Sequence, residues 1–185
     1  MKTKQKFTTY ELAIAALMAA VMCVLGPVSL QIGPIPLSLT NLVVLFSVML
    51  LGTKLGTCSL VVYLLLGAVG LPVFSGYSGS LAKLAGPTGG YLIGFIPMAI
   101  LAGIVLEKCG RRPLPTIAAM VAGVAVDYIF GTAWFVFQMQ CELWYALTVC
   151  VFPFLIGDGI KLVLAYVLGG LLRQRLGKAG LLKAA

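Results

Sequence analysis

Charged side chains are scarce in this sequence. They make up 10% of its 185 residues, whereas an ordinary soluble domain carries about 25%. Hydrophobic residues make up 61% of the chain, which is more apolar surface than a water-soluble core of this length can bury. The shortage of charge therefore excludes an ordinary soluble domain, and the sequence predicts a single membrane domain over residues 1–185.

Histidine is absent, and none of the five cysteines forms a Cys-x-x-Cys pair. These absences argue against a zinc site and a disulfide framework, so we expect isolated thiols packed among apolar side chains. The sequence also lacks an ATP-binding motif and a nucleophile–base constellation. We therefore expect no metal, no cofactor and no enzymatic activity. A protein of this kind that moves a solute uphill would need energy from another protein.

Apolar runs separated by Gly, Pro or polar residues predict an all-α bundle of six transmembrane helices. The first run is similar to a secretory signal, but no small-x-small cleavage site follows it. We expect a retained span that opens with a capping box of Thr8 and Glu11. No internal repeat is apparent, which argues against an inverted-repeat transporter. The predicted spans are Thr9–Leu25, Leu37–Leu51, Thr57–Val69, Gly89–Leu106, Thr116–Phe137 and Val149–Leu172.

Basic residues outnumber the acids and give a formal net charge of +8. This excess does not predict a nucleic-acid partner, because the basic residues punctuate apolar runs and do not form one stripe. Most of them fall on one side of the predicted spans, and positive residues mark the cytoplasmic side. We therefore expect both termini in the cytoplasm and the bundle in the plasma membrane of a prokaryotic cell. The residues on that side are Lys2, Lys4, Lys6, Lys54, Lys108, Arg111, Arg112, Arg173, Arg175, Lys178 and Lys183.

The five acidic residues differ in how readily they are explained. Glu11 belongs to the predicted capping box, and Glu107 and Glu142 are predicted to be loop charges. Asp127 and Asp158 lie inside predicted spans, where a charge costs at least about 2.5–3.5 kcal/mol. Each of these two carboxyl groups therefore needs a compensating interaction.

Asp158 and Lys161 lie three residues apart, which places them on one face of a helix. They either form an internal ion pair that lets the segment insert, or they bind a ligand. In a ligand site, Asp158 would accept N–H groups and Lys161 would meet a carboxylate or carbonyl. Position favours the ligand, because the pair lies in the same outer half as both Gly/Pro-rich loops. Asp127 has no firm explanation: it either pairs with Lys161 or Lys83, or lies near the lipid headgroups.

The stretch "GPTGGYLIGF" opens the fourth predicted span. Thr88 is a candidate N-cap, and Gly89 and Gly90 leave space beside the backbone. Tyr91 would direct an amphipathic ring toward whatever occupies that space. The stretch is not a phosphate loop, because it lacks Gly-Lys-Ser/Thr. It is either part of a site or a helix cap followed by an interfacial tyrosine.

The first predicted helix carries two alanine pairs with a spacing of four residues, Ala15 with Ala19 and Ala16 with Ala20. Small residues at this spacing form a smooth strip that lets another helix approach closely. The strip therefore either docks a partner protein or packs inside the bundle.

Several of these motifs together resemble the BioY family, the biotin-specific substrate-binding (S) components of energy-coupling factor transporters. They are "GPIPLSLTNL", "GLPVFSGYSGSLAKLAGPTGGYLIGF" and "FPFLIGDGIK", and the resemblance covers nearly the whole chain. It implies a six-helix bundle that binds biotin near the outer surface. It also implies energy from a transmembrane coupling protein and two cytoplasmic ATPases. Biotin would be captured under the loops at Ser29–Ser38 and Gly70–Thr88 before the bundle tilts in the membrane.

The resemblance also implies roles for individual residues. Asp158, Lys161 and Tyr91 would contact biotin, and the alanine strip would dock the coupling protein. Further candidates for the lining of the site are Asn41, Phe74 and Lys83. The nearest alternative is an S component for another vitamin, such as thiamin or riboflavin. A membrane enzyme that uses Asp158 and Lys161, or a scaffold whose charges only pair with each other, are alternatives from other classes.

Overall fold

The computed structural model describes residues 7–32, 35–109 and 112–180, and most of them are helical. In chain order the described elements are α1 (Thr9–Leu25), β1 (Ser29–Ile32), β2 (Ile35–Ser38), α2 (Thr40–Leu51), α3 (Thr53–Ala68), α4 (Leu81–Ala85), α5 (Gly89–Lys108), α6 (Pro113–Met139), α7 (Leu143–Cys150) and α8 (Phe152–Lys178).

Among the described helices, α5, α6 and α8 are long and apolar enough to cross a membrane. Three more, α1, α2 and α3, are apolar but shorter. The chain is thus a mostly helical protein with several candidate spans, while the count of six spans and the cytoplasmic termini stay predictions. Five of the basic residues behind that topology lie outside the described residues: Lys2, Lys4, Lys6, Arg111 and Lys183.

Helix α1 begins and ends where the sequence predicts. Thr8 Oγ1 accepts the backbone N–H of Glu11 at 3.2 Å, and Glu11 Oε2 accepts the backbone N–H of Thr8 at 2.9 Å. This is the predicted capping box, which satisfies two backbone donors at the start of the helix. Helices α3, α5 and α6 correspond to the third, fourth and fifth predicted spans and differ from them by a few residues at their ends.

The second span begins later than predicted, because a β-hairpin precedes it. Strands β1 and β2 pair in antiparallel register, with Ser29 opposite Ser38. Leu37 therefore belongs to β2, and α2 begins at Thr40. The all-α prediction is wrong for this hairpin. Pro36 in β2 lacks a backbone N–H and disfavours a helical turn, whereas a two-stranded sheet has edges that tolerate it.

The sixth predicted span is also divided. Its predicted start, Val149, lies in α7, and α8 begins at Phe152. Val151 between them leaves the helical conformation with a φ of −121°. Pro153 lies in the first turn of α8, where a missing N–H removes no intrahelical hydrogen bond. The break matters for the site, because it sets where Asp158 enters the bundle.

Helices α5 and α6 pack closely along each other because glycines face bulky side chains across the contact. A Cβ atom at Gly90 would overlap the side chain of Trp134, and one at Gly131 would overlap the ring of Tyr91. Larger residues at either glycine would therefore force the helices apart. Helix α2 is enclosed by α1, α3, α5 and α8 and supplies much of the buried core.

Two side chains from other helices cap the tight connection between α2 and α3. Glu107, predicted to be a loop charge, lies in the last turn of α5, and its Oε1 accepts the backbone N–H of Thr53 at 2.9 Å. Arg173 of α8 donates to the backbone carbonyl of Leu50 near the end of α2. The anion thus lies at a helix N-terminus and the cation at a helix C-terminus, as the helix dipoles favour.

Candidate ligand-binding site

A cavity opens between the hairpin, the first turns of α2 and α5, the middle of α6, the end of α7 and the first turns of α8. Its empty space, open mouth included, is about 590 Å³. Four of the predicted site residues line it: Asn41, Tyr91, Asp158 and Lys161.

Asp158 lies at the centre of a hydrogen-bonded network at the cavity wall. Lys161 Nζ donates to Asp158 Oδ1 at 2.8 Å, and the Tyr128 hydroxyl donates to Asp158 Oδ2 at 2.5 Å. Asp158 and Lys161 are both 8% exposed. The predicted ion pair therefore exists and offsets its own burial, and it also borders the cavity.

Tyr91 and Asn41 reach the cavity from two other helices. The Tyr91 hydroxyl and Thr132 Oγ1 lie 3.0 Å apart and share a hydrogen bond, which fixes the tyrosine ring against α6. Asn41 is buried in the first turn of α2, and its Oδ1 has no hydrogen-bond partner. Phe95 and Phe154 add apolar surface. The cavity thus combines aromatic walls with a few convergent polar groups, as small-molecule sites do.

Phe74 and Lys83 are not among the side chains that line this cavity. Phe74 is fully buried and packs edge-on against Tyr63, with ring centroids 5.6 Å apart. Its ring anchors the long loop to α3. Lys83 lies on the short helix α4, beside a separate depression that Tyr77 and Ser80 also border.

The BioY family model matches residues 1–178 of this chain. The chain belongs to the BioY family. It is similar to the "Biotin transporter BioY" of Thermotoga maritima, with 38% identity over 155 residues that cover 84% of this chain and 90% of the relative. It is also similar to the "Biotin transporter BioY" of Lactococcus lactis, with 34% identity over 184 residues and 95% of each chain covered.

A solved structure also matches this chain over nearly its whole length. The crystal structure of "the S-component for biotin from an ECF-type ABC transporter" matches with a TM-score of 0.84 and 32% identity, over 94% of this chain and 95% of that one. The sequence prediction of BioY membership is therefore confirmed. These relatives are transporters, so the prediction that the chain is not an enzyme is confirmed by its family.

The alanine strip of this BioY chain divides into a buried and an exposed half. Ala15 and Ala19 are 3% and 2% exposed and pack inside the bundle, where α1 contacts α3 and α2. Ala16 and Ala20 are exposed on the outer face of α1. Internal packing therefore accounts for Ala15 and Ala19, so the prediction that these two dock a partner is wrong. Docking of a partner at Ala16 and Ala20 stays a prediction.

Sequence reasoning left two BioY cavity residues without a role. Asp127 had no explanation, and the structure places it in the cavity wall with an exposure of 3%. Tyr128, the next residue of α6, was not singled out, although it donates to Asp158. The signal available in the sequence was that Tyr128, with its polar hydroxyl, directly follows Asp127 inside a predicted span. No group of three or more His, Cys, Asp or Glu side chains suited to a metal ion occurs in the described parts of the chain.

Proposed function

We propose that this chain is the biotin-binding S component of an energy-coupling factor transporter and that it mediates biotin uptake. The observation that carries the proposal is the polar network of Asp158 and Lys161 in the wall of a cavity with aromatic sides. The similarity to biotin transporters over nearly the whole chain supports it. Biotin would be the transported ligand and not a cofactor.

The chemistry of biotin suits the cavity. Its ureido ring carries two N–H donors and a carbonyl acceptor, and its tail ends in a carboxylate. Lys161 has three N–H donors and gives one to Asp158, so others are left for the ureido carbonyl or the carboxylate. Asp158 has lone pairs left for a ureido N–H beside its two present donors. Aromatic rings such as Tyr91 offer apolar surface to the thioether ring.

The proposed transport cycle follows from this placement. Six spans with both termini in the cytoplasm would put the cavity mouth on the outer side of the plasma membrane. The hairpin at Ser29–Ser38 and the loop at Gly70–Thr88 contribute to the cavity wall, so either could close over bound biotin. The bundle would then tilt against its partner and turn the site inward. A transmembrane coupling protein and two ATPase subunits would supply the energy.

Equilibrium binding tests this proposal directly. Calorimetry on the detergent-purified chain should give one biotin per chain. Asp158→Asn and Lys161→Ala should each lower the affinity at least about 10-fold, because each removes a charged hydrogen-bonding group from the cavity. Glu142→Gln is a matched control, since Glu142 is exposed outside the cavity and should leave affinity unchanged.

The specificity of binding decides between biotin and other vitamins. Thiamin and riboflavin, titrated under the same conditions, should give no heat. A folded protein that does not bind biotin but binds thiamin or riboflavin would refute the biotin assignment. Folded protein that binds none of the three would leave the Asp158–Lys161 pair as an internal salt bridge.

A further inference from the structure

We infer that Asp127 is a second ligand-binding carboxyl group in the cavity and accepts an N–H of the ureido ring of biotin; this rests on the proposed function. Asp127 lies in the middle of α6 and lines the same cavity as Asp158 and Lys161. The residue after it, Tyr128, donates to Asp158. Helix α6 thus supplies one carboxyl group of the cavity wall, Asp127, and holds a second one, Asp158, through the hydroxyl of Tyr128.

The carboxyl group of Asp127 lacks the partners that a buried acid requires. The residue is 3% exposed, and its Oδ1 has no hydrogen-bond partner. Neither of the cations that the sequence suggested as partners neutralises it. Lys161 donates to Asp158, and Lys83 is not among the residues that line the cavity. An unpaired polar group at membrane depth is costly, so a donor is missing that a ligand would bring.

The ureido ring has two N–H donors, and two carboxyl groups of the cavity wall, Asp127 and Asp158, are available to accept them. Asp158 has a donor on each oxygen and keeps lone pairs for one ureido N–H. The second N–H is left for Asp127, while Lys161 has spare donors for the ring carbonyl. A ligand without a second N–H group would leave Asp127 unpaired, which gives the site selectivity.

Gly94 makes the room that Asp127 occupies. A Cβ atom at Gly94 would lie 2.5 Å from Asp127 Oδ1, so any side chain there would displace the carboxyl group. The glycine therefore permits a buried acid between α5 and α6. It also supplies a way to disturb the position of Asp127 without changing its charge.

A thermodynamic cycle between protein and ligand tests the inference. Biotin and two analogues, each methylated at one ureido nitrogen, are titrated into the wild-type chain and into Asp127→Asn and Asp127→Leu. We expect biotin affinity to fall about 10-fold in Asp127→Asn, which keeps a neutral acceptor, and about 100-fold in Asp127→Leu, which has none. Desthiobiotin, which keeps both N–H groups, should lose affinity by the same factors.

The coupling between the two changes is the decisive quantity, because a purely structural role for Asp127 would not produce it. One methylated analogue should bind the wild-type chain at least about 10-fold more weakly than biotin. That penalty should disappear in Asp127→Leu. Equal penalties in both proteins, for both analogues, would overturn the inference. Should Asp127→Leu fail to fold, the same cycle with Asp127→Asn decides.

The controls separate this inference from the proposed function. Gly94→Ala should weaken biotin binding at least about 10-fold, as Asp127→Asn does. Glu142→Gln removes one acidic charge outside the cavity and should leave the affinity for biotin and for both methylated analogues unchanged. A wild-type chain that binds no biotin would refute the proposed function itself. Wild-type binding that Asp127→Asn, Asp127→Leu and Gly94→Ala leave intact would refute only the role of Asp127.

Discussion

At the scale of single residues, the carboxyl group of Asp158 is held from two directions. Lys161 approaches one oxygen from the same helix, and Tyr128 approaches the other from α6. An i, i+3 ion pair alone can rotate about its long lysine side chain. The tyrosine hydroxyl removes that freedom and ties α6 to α8 at the cavity. We therefore regard Tyr128 as a positioning residue for the Asp158 carboxyl group.

Replacing Tyr128 by phenylalanine should weaken biotin binding about 10-fold. The variant keeps the ring and its packing but removes the hydroxyl that donates to Asp158 Oδ2, and a hydrogen bond to a charged group contributes about 1.5–3 kcal/mol. Calorimetry measures the change in affinity. Tyr166→Phe on α8 is the matched control, because Tyr166 is not part of the cavity wall. Equal affinities for the wild-type chain and Tyr128→Phe would show that Lys161 alone positions the carboxyl group.

At the scale of elements, the junction of α2 and α3 depends on distant side chains. Gly52 turns the chain with a φ of +85°, so the two helices end and begin with almost no linker. Backbone groups at such ends lack intrahelical partners. Glu107 from α5 and Arg173 from α8 supply them. The junction therefore links four helices at the end of the bundle opposite the cavity.

Glu107→Ala should destabilise this junction by about 1 kcal/mol, because the helix N-terminus loses both a hydrogen-bond acceptor and a favourable negative charge. The midpoint of thermal unfolding in detergent should fall by about 2–4 °C for a chain of this size. Biotin affinity should not change, since Glu107 is not part of the cavity wall. Glu142→Ala is the control: Glu142 precedes α7 but makes no capping bond with its side chain. Matching midpoints for Glu107→Ala and the control would contradict a capping role.

The sequence predicts best those elements whose bounds are determined by residues close together in the chain. Helix α1 is defined by a capping box within four residues, and its bounds are as predicted. The hairpin was missed because strand pairing depends on residues from two segments, and the apolar residues of β2 continue smoothly into α2. The site divides in the same way. Spacing revealed Asp158 and Lys161, whereas the place of Asp127 depends on the approach of α5 to α6 at Gly94.

At the scale of the whole molecule, the outer surface is largely apolar, as the surface of a membrane protein that contacts lipid is. Large apolar side chains are exposed along α8, including Ile156 at 80% and Ile160 at 59%. Such a surface suits lipid and offers few features that a protein partner could recognise. Against this background, Ala16 and Ala20 form an exposed strip of small side chains on α1. A helix of a coupling protein could approach closely there, which is how small residues favour association in membranes.

We expect the double variant Ala16→Leu/Ala20→Leu to keep biotin binding and to lose assembly with the coupling protein. Leucines would hold the partner helix away from the strip, while the cavity lies on other helices. Co-purification with the coupling protein and ATPases measures assembly, and calorimetry measures binding. Ala118→Leu/Ala122→Leu is the matched control, because these alanines have the same spacing and are exposed on α6. Ala15→Leu/Ala19→Leu should instead damage the fold, since both alanines are buried and overpacking costs about 1–3 kcal/mol. Assembly that survives in the α1 variant but fails in the α6 control would move the docking face from α1 to α6.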